Sequence, residues 1–189
     1  MKIAVDVDGV ILDSMVQFCQ ICNKRFGMHH VKDDATNWDF YQDWKIPLGV
    51  LTETFRMLHE NPMDTPIVDK NTPKIMEELQ VTHQLDIITS REIHTRDPLI
   101  NRLDSLGIHK GSHYGDIILS PTMPSDVKLT YNYDIFIDDN PNLATSIHEY
   151  ENKILLLFDQ PWNRSVQDSS IVVRVKSWKA ILEYINSIL

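Results

Sequence analysis

The stretch Lys2-Ile3-Ala4-Val5-Asp6-Val7-Asp8-Gly9-Val10 decides how the chain reads. Ile3–Val5 is a short apolar run of the kind that forms a buried strand, and two carboxylates follow it closely. Had the strand continued, Asp6 and Asp8 would face the same side. Gly9 comes too soon for that, so the strand is expected to end at Asp6, with the turn presenting both acids at its carboxyl tip. In open α/β sheets that tip is where ligands bind. Two acids crowded there repel each other unless a proton or a cation separates them. A hard divalent cation such as Mg²⁺, which prefers oxygen ligands, is the natural neutraliser. Read alone, the motif is also compatible with a solvated acidic turn after an edge strand.

Further apolar runs read as buried parallel strands: Leu85–Ile88, Ile117–Leu119, Ile135–Ile137 and Ile154–Phe158. Helical patterns separate several of them. Thr72–Gln80 opens on Thr72-Pro73, a cap followed by proline at the first helical position. Asp97–Leu106 carries Pro98 near its start and Gly107 as a stop. Asn142–Tyr150 follows Asn140-Pro141, and Ser177–Leu189 has Trp178, Ile181, Leu182 and Ile185 on one side. Strands alternating with helices mean βαβ units, hence an α/β fold with a mostly parallel, Rossmann-like sheet flanked by helices. Residues 28–70 break the rhythm. Thr36–Trp44 holds Trp38, Phe40, Tyr41 and Trp44, Leu48–Leu58 looks helical, and Asn61–Pro66 reads as a connector. The expected organisation is a core of residues 1–27 and 71–189 with a small helical insertion over 28–70.

The chain has 189 residues, 42% of them hydrophobic, enough for one domain with an insertion. Its formal net charge is −9, which argues against a protein that binds a nucleic acid duplex through neutralised phosphates. A small phosphorylated ligand held by one lysine, a cation and backbone N–H groups remains compatible with that charge. Met1-Lys2 leads straight into a strand, without the charged and apolar regions of a signal peptide, and no apolar run is long enough to span a membrane. Cytoplasm is the expected setting. Cys19-Gln20-Ile21-Cys22 invites a redox or zinc reading. Leu12, Met15, Val16, Cys19, Cys22 and Phe26 recur at helical steps, however, so both cysteines are expected to pack as part of an apolar stripe.

Four elements stand at or near strand ends. Asp6 and Asp8 are the first. Thr89-Ser90-Arg91 follows Leu85–Ile88, where hydroxyls and turn N–H groups can bind a phosphate oxygen without adding negative charge. Lys128 stands ten residues before Asp138, and its charge could balance both an acidic nucleophile and a phosphoryl group. Asp138-Asp139-Asn140-Pro141 follows Ile135-Phe136-Ile137, and adjacent acids at a buried strand's end are costly without a cation.

The order Asp-x-Asp-Gly, Thr-Ser, Lys, Asp-Asp resembles the four motifs of the haloacid dehalogenase superfamily, with Val10 where threonine is common. The resemblance implies that Asp6 is a nucleophile that forms an aspartyl-phosphate, and that Asp8 is the general acid and base. It implies Mg²⁺ held by the Asp6 carboxylate, the Asp8 backbone carbonyl and Asp138, with Asp139 in support. Thr89, Ser90 and Lys128 would then bind the phosphoryl oxygens. A helical insertion of this size between the first and second motifs resembles the cap of the 5′(3′)-deoxyribonucleotidases. So do Ile88-Thr89-Ser90, the Lys128-to-Asp138 step and Phe158-Asp-Gln-Pro-Trp-Asn163. Trp38, Phe40, Tyr41 and Trp44 would suit a nucleobase, or would form the cap's own core; Arg91 would reach the substrate or lie at a helix start.

The reading that results is a Mg²⁺-dependent phosphomonoesterase acting on a small-molecule phosphate ester, a nucleoside monophosphate first, with no duplex or membrane as partner. Another small ester such as a sugar phosphate is the nearest alternative, and a catalytically silent binding module on the same fold the next. Oligomeric state stays open, a homodimer included.

Overall fold

The chain begins on the central strand of its sheet. Six strands form among the described residues, β1 (Lys2–Val5), β2 (Gln84–Thr89), β3 (Ile117–Leu119), β4 (Ile135–Asp138), β5 (Ile154–Phe158) and β6 (Val172–Val175). They run parallel in the order β3-β2-β1-β4-β5-β6. This is a computed structural model and it describes residues 1–124 and 126–188. The strand order reverses between β1 and β4, which is the switch point where an open α/β sheet leaves a crevice at its carboxyl edge. Register fixes what meets there: Val5 pairs with Ile137 on one side and Ile87 on the other, so Asp6 and Asp138 emerge side by side.

Alternation along the strands separates two cores. Ile3, Val5, Leu85, Ile87, Ile135 and Ile137 face helices α4 (Thr72–Thr82), α5 (Arg96–Ser105) and α7 (Trp178–Ser187). Ala4, Ile88, Phe136, Leu155 and Leu157 face the opposite way, onto Leu143 and Ala144 of α6 (Pro141–Ser146). The expected helix over Asn142–Tyr150 is shorter: α6 ends at Ser146 and a 3₁₀ turn over Ile147–Glu149 replaces its last part. Leu189, counted in the expected last helix, lies outside the described residues. β6 is a strand beyond the five expected, in a run whose apolar pattern Arg174 interrupts. That guanidinium is held at 2.8 Å by Asp159 and at 2.8 Å by the Asn163 side chain.

A third core joins α1 (Ser14–Phe26) to the segment after it. Gly27 ends α1 in the left-handed conformation (φ 66°). Then come a 3₁₀ turn over Lys32–Asp34, the short α2 (Phe40–Asp43) and α3 (Leu48–Glu60). Phe18, Cys19 and Cys22 of α1 pack against Ala35, Phe40, Ile46 and Leu58. Both cysteines are free and buried, and burial pushes the Cys19 thiol up to about 12, so they serve as small apolar groups as the stripe predicts.

Trp178 is fully buried, and its indole N–H donates to the Val10 carbonyl at 3.1 Å, tying α7 to the turn after β1. Trp178→Ala is expected to destabilise the fold by about 3–5 kcal/mol, the usual cost of removing a buried aromatic. Trp178→Phe keeps the packing but strands the carbonyl, for about 1–3 kcal/mol. Denaturant unfolding of both variants measures the two contributions; no loss in Trp178→Phe would mean that the hydrogen bond contributes nothing.

Candidate active site

Asp6 is the residue after β1, and its backbone N–H still donates to Ile137 at 2.9 Å, so the sheet holds it in place before its side chain does anything. Lys128 arrives on a 3₁₀ turn over Val127–Thr130. Its ammonium lies 3.0 Å from Asp6 Oδ1 and 2.7 Å from Asp138 Oδ2, with all three residues buried. The other Asp138 oxygen accepts the Asn140 backbone N–H at 2.9 Å. Asp139 completes the group: Asp6, Asp138 and Asp139 each offer an oxygen, all within 4.8 Å of one another.

One ammonium against three buried carboxyls leaves negative charge in excess. Burial pushes the Asp6 carboxyl up to about 7 against the pull of Lys128, with Asp138 and Asp8 adding to the rise. Burial, then Asp138 and Asp6, push Asp139 well above the usual carboxylate range. Burial acts to lower the Lys128 pKa, but Asp138 and Asp6 outweigh it and the lysine stays charged. Such a set is relieved by protons or by a cation. Thr89 Oγ1 is buried at the cavity wall without a hydrogen-bond partner among the described residues, and Asp6 Oδ1 beside it has the Lys128 ammonium at 3.0 Å as its neighbour.

Asp8 has turned to other company. Ser14 Oγ donates to it, Arg91 forks onto both its oxygens at 2.9 and 2.6 Å, and His59 Nε2 lies 3.5 Å away. Burial would raise its pKa, yet Arg91 and then His59 prevail and hold the carboxyl well below its usual range. Arg91 is not a residue of an exposed helix start: its side chain is fully buried, does not line the cavity and pairs with Asp8.

The acids and Lys128 floor a cavity of about 670 Å³, a size suited to a small ligand. Thr89, Ser90, Thr122, Met123, Asn140 and Asn142 come from the sheet's carboxyl edge, while Trp38, Phe40 and Tyr41 enter from the segment after α1. The four aromatics of that segment divide. Trp38 is 41% exposed at the cavity and Tyr41 lines it. Phe40 is both wall and core, edge-on to Phe18 at 5.5 Å. Trp44 does not line the cavity: it stacks on His30 at 4.1 Å and belongs to the third core. Leu51 and Phe55 of α3, and Trp162, also line it; sequence reasoning did not single out the first two, whose only signal is their place on a helical stripe.

Gln160-Pro-Trp-Asn163 braces the floor from behind. Gln160 Nε2 donates to the Gly9 carbonyl at 2.6 Å, Trp162 Nε1 to Asp139 Oδ2 at 3.1 Å, and Asn163 Nδ2 to the Asp139 and Phe158 carbonyls at 2.9 and 2.8 Å. Gly9 has φ +76°, and a Cβ there would lie 2.1 Å from Asp139 Oδ2, so no other residue fits the turn.

The chain and its fold are similar to those of known proteins. The nucleotidase CA_C3379 of Clostridium acetobutylicum is 23% identical over 181 residues, covering 96% of this chain and 91% of its own. Among solved structures, a haloacid dehalogenase-like protein of unknown function from Agrobacterium tumefaciens, ATU0790, superposes with a TM-score of 0.64 at 14% identity, covering 99% of this chain and 98% of its own. The Bacillus subtilis HAD-hydrolase YfnB bound to magnesium superposes with a TM-score of 0.56 at 13% identity, covering 98% of each chain. A sequence model of the family described as 5′ nucleotidase, deoxy (pyrimidine), cytosolic type C protein matches residues 1–188. Its fold is haloacid dehalogenase-like, and the chain belongs to that cytosolic type C family, a phosphoric monoester hydrolase of the 5′-nucleotidase type.

Proposed function

We propose that the protein hydrolyses a nucleoside monophosphate, a deoxyribonucleotide first, through an aspartyl-phosphate on Asp6 and with Mg²⁺ as cofactor. The observation that carries this reading is the Asp6–Lys128–Asp138 cluster at the switch point, under an aromatic-walled cavity. Asp6, Asp138 and Asp139 are hard oxygen donors with charge in excess, which fits Mg²⁺; the Asp8 backbone carbonyl joins the proposed set. When bound, Mg²⁺ offsets the negative charge that nucleophile and phosphoryl group bring together.

In the first half-reaction an Asp6 carboxylate oxygen attacks phosphorus, the bond to the ester oxygen breaks, and Asp8 gives the leaving alkoxide its proton. In the second, water attacks phosphorus, its proton goes to Asp8, and Asp6 departs as a free carboxylate with phosphate released. Thr89, Ser90 and Lys128 hold the phosphoryl oxygens. The grip of Arg91 and His59 favours the Asp8 anion, the form that takes a proton from water. An arriving phosphoryl dianion opposes that preference and favours the acid form needed first.

Residues 28–70 act as a cap over a core of 1–27 and 71–189, excluding water from the ester. Trp38 and Tyr41, with Phe55 and Trp162, offer flat or edge contacts to a base, and the cavity has room for more than a bare phosphate. A cytosolic setting follows the family's description, and no helix among the described residues is long and apolar enough to cross a membrane.

Phosphate release from a panel of ribo- and deoxyribonucleoside monophosphates and sugar phosphates, with Mg²⁺ and with EDTA, tests the reading. Release is expected to be Mg²⁺-dependent and concentrated on deoxynucleotides, and to fall in Asp6→Asn by at least about 10⁴-fold, as loss of a covalent nucleophile does. Release confined to sugar phosphates would overturn the substrate and keep the mechanism.

A second prediction comes from the raised Asp6 pKa. Between its unfolded value of 3.8 and about 7 the folded protein keeps a proton that the unfolded chain has lost, so this group's contribution to stability falls as pH rises through that window. A cation that replaces the proton stabilises more as pH rises. Saturating Mg²⁺ at about a hundred times its Kd is expected to raise Tm by about 5–10 °C above this window. The rise at acid pH should be much smaller. Calorimetric scans at both pH values check it; a pH-independent increment would mean that Mg²⁺ binds elsewhere.

A further inference from the structure

Two of the side chains that grip Asp8, Arg91 and His59, have so far entered only through their effect on its charge. Arg91 makes hydrogen bonds with its side chain only to Asp8, and its remaining nitrogen, Nη1, is buried without a partner among the described residues. Burying a guanidinium is costly, and a purely structural reason would require that Asp8 need it for solvation. It does not: the Asp8 side chain keeps 26% of its surface exposed at the cavity. His59 Nε2 is likewise buried, 3.5 Å from Asp8 Oδ2 and without a hydrogen bond among the described residues. A neutral imidazole can donate from that nitrogen, so the contact does not depend on its charge.

The two grips come from different parts of the chain. Arg91 follows β2, while His59 is in the last turn of α3, in the segment that walls the cavity. One residue on, Glu60 meets His94 at 3.3 Å, so the end of α3 and the loop after β2 converge on Asp8.

We propose that Arg91 and His59 are positioning residues for Asp8, aiming its carboxylate at the leaving-group oxygen, and that His59 makes this aim depend on α3 being seated. The inference rests on the phosphomonoesterase reading. Arg91 supplies direction, because a planar fork accepts one orientation of a carboxylate where an ammonium would not. His59 supplies the link to the segment covering the substrate: with α3 displaced, Asp8 loses one of the three polar side chains that surround it.

The test uses two esters that differ in what they ask of Asp8. A deoxynucleoside 5′-monophosphate leaves as an alkoxide that needs a proton, whereas p-nitrophenyl phosphate leaves as a stable phenolate that does not. kcat/KM reports the steps up to departure of the leaving group, so it isolates the half-reaction in which Asp8 is the acid. Arg91→Lys and His59→Ala are expected to lower kcat/KM for the deoxynucleotide by about 10²-fold or more, the worth of a positioned general acid, and for p-nitrophenyl phosphate by less than about tenfold. His59→Gln, which retains an N–H donor, should recover most of what His59→Ala loses. The Mg²⁺-induced rise in Tm should survive in all three variants. Equal falls on both esters, no recovery with glutamine, or loss of the Mg²⁺ response would overturn the proposal and make these side chains structural. Failure of the unsubstituted protein to hydrolyse either ester would overturn the phosphomonoesterase reading itself, and this proposal with it.

Discussion

The contact on which the rest depends is that of Lys128 with Asp6 and Asp138. Two neighbouring parallel strands, β1 and β4, end on acids, and register places those acids side by side. Without the ammonium at 3.0 and 2.7 Å they could not both stay ionised away from water. Even with it the balance is short of positive charge, and burial first, then the neighbouring acids, push the Asp6 and Asp139 carboxyls up. The fold thus carries a site with a charge deficit. On the proposed reading a cation would complete it, sharing with the lysine the charge of the substrate.

Around that deficit the structure spends hydrogen bonds on rigidity. Gly9 allows Asp139 to approach the turn after β1, and Gln160, Trp162 and Asn163 fix both from the loop after β5. Asp8, two residues from the nucleophile, belongs to a separate network of Ser14, Arg91 and His59. Environment gives adjacent acids opposite tendencies: Asp6 and Asp139 are pushed up, Asp8 is held down. That is the pattern by which one site assigns distinct roles to like groups.

Much of this was legible in the sequence because it is local. Apolar runs followed by acids or hydroxyls marked β1, β2 and β4 together with their site residues, and the cysteine stripe on α1 gave itself away by helical spacing. β6 was harder, since Arg174 breaks the apolar pattern and only partners brought near by folding, Asp159, Asn163 and Val166, explain why it is half-buried. The aromatic segment could not be divided from sequence: Trp38 and Trp44 look alike there, and only the stacking of Trp44 on His30 removes it from the cavity. Arg91 stood beside the right motif with the wrong partner in view, because its contact to Asp8 spans 83 positions. His59 carried no signal at all; one histidine on an amphipathic helix is ordinary until the fold sets it beside an acid.

The central claim is that Asp6 takes the phosphoryl group. Rapid acid quench during turnover of a deoxynucleoside monophosphate, borohydride reduction and mass spectrometry of the peptides tests it directly. The account predicts that the acyl-phosphate is trapped at position 6 and is recovered there as homoserine. Phosphate release with no trapped species, accompanied by inversion of configuration at phosphorus, would contradict it and show that water attacks the substrate without help from Asp6.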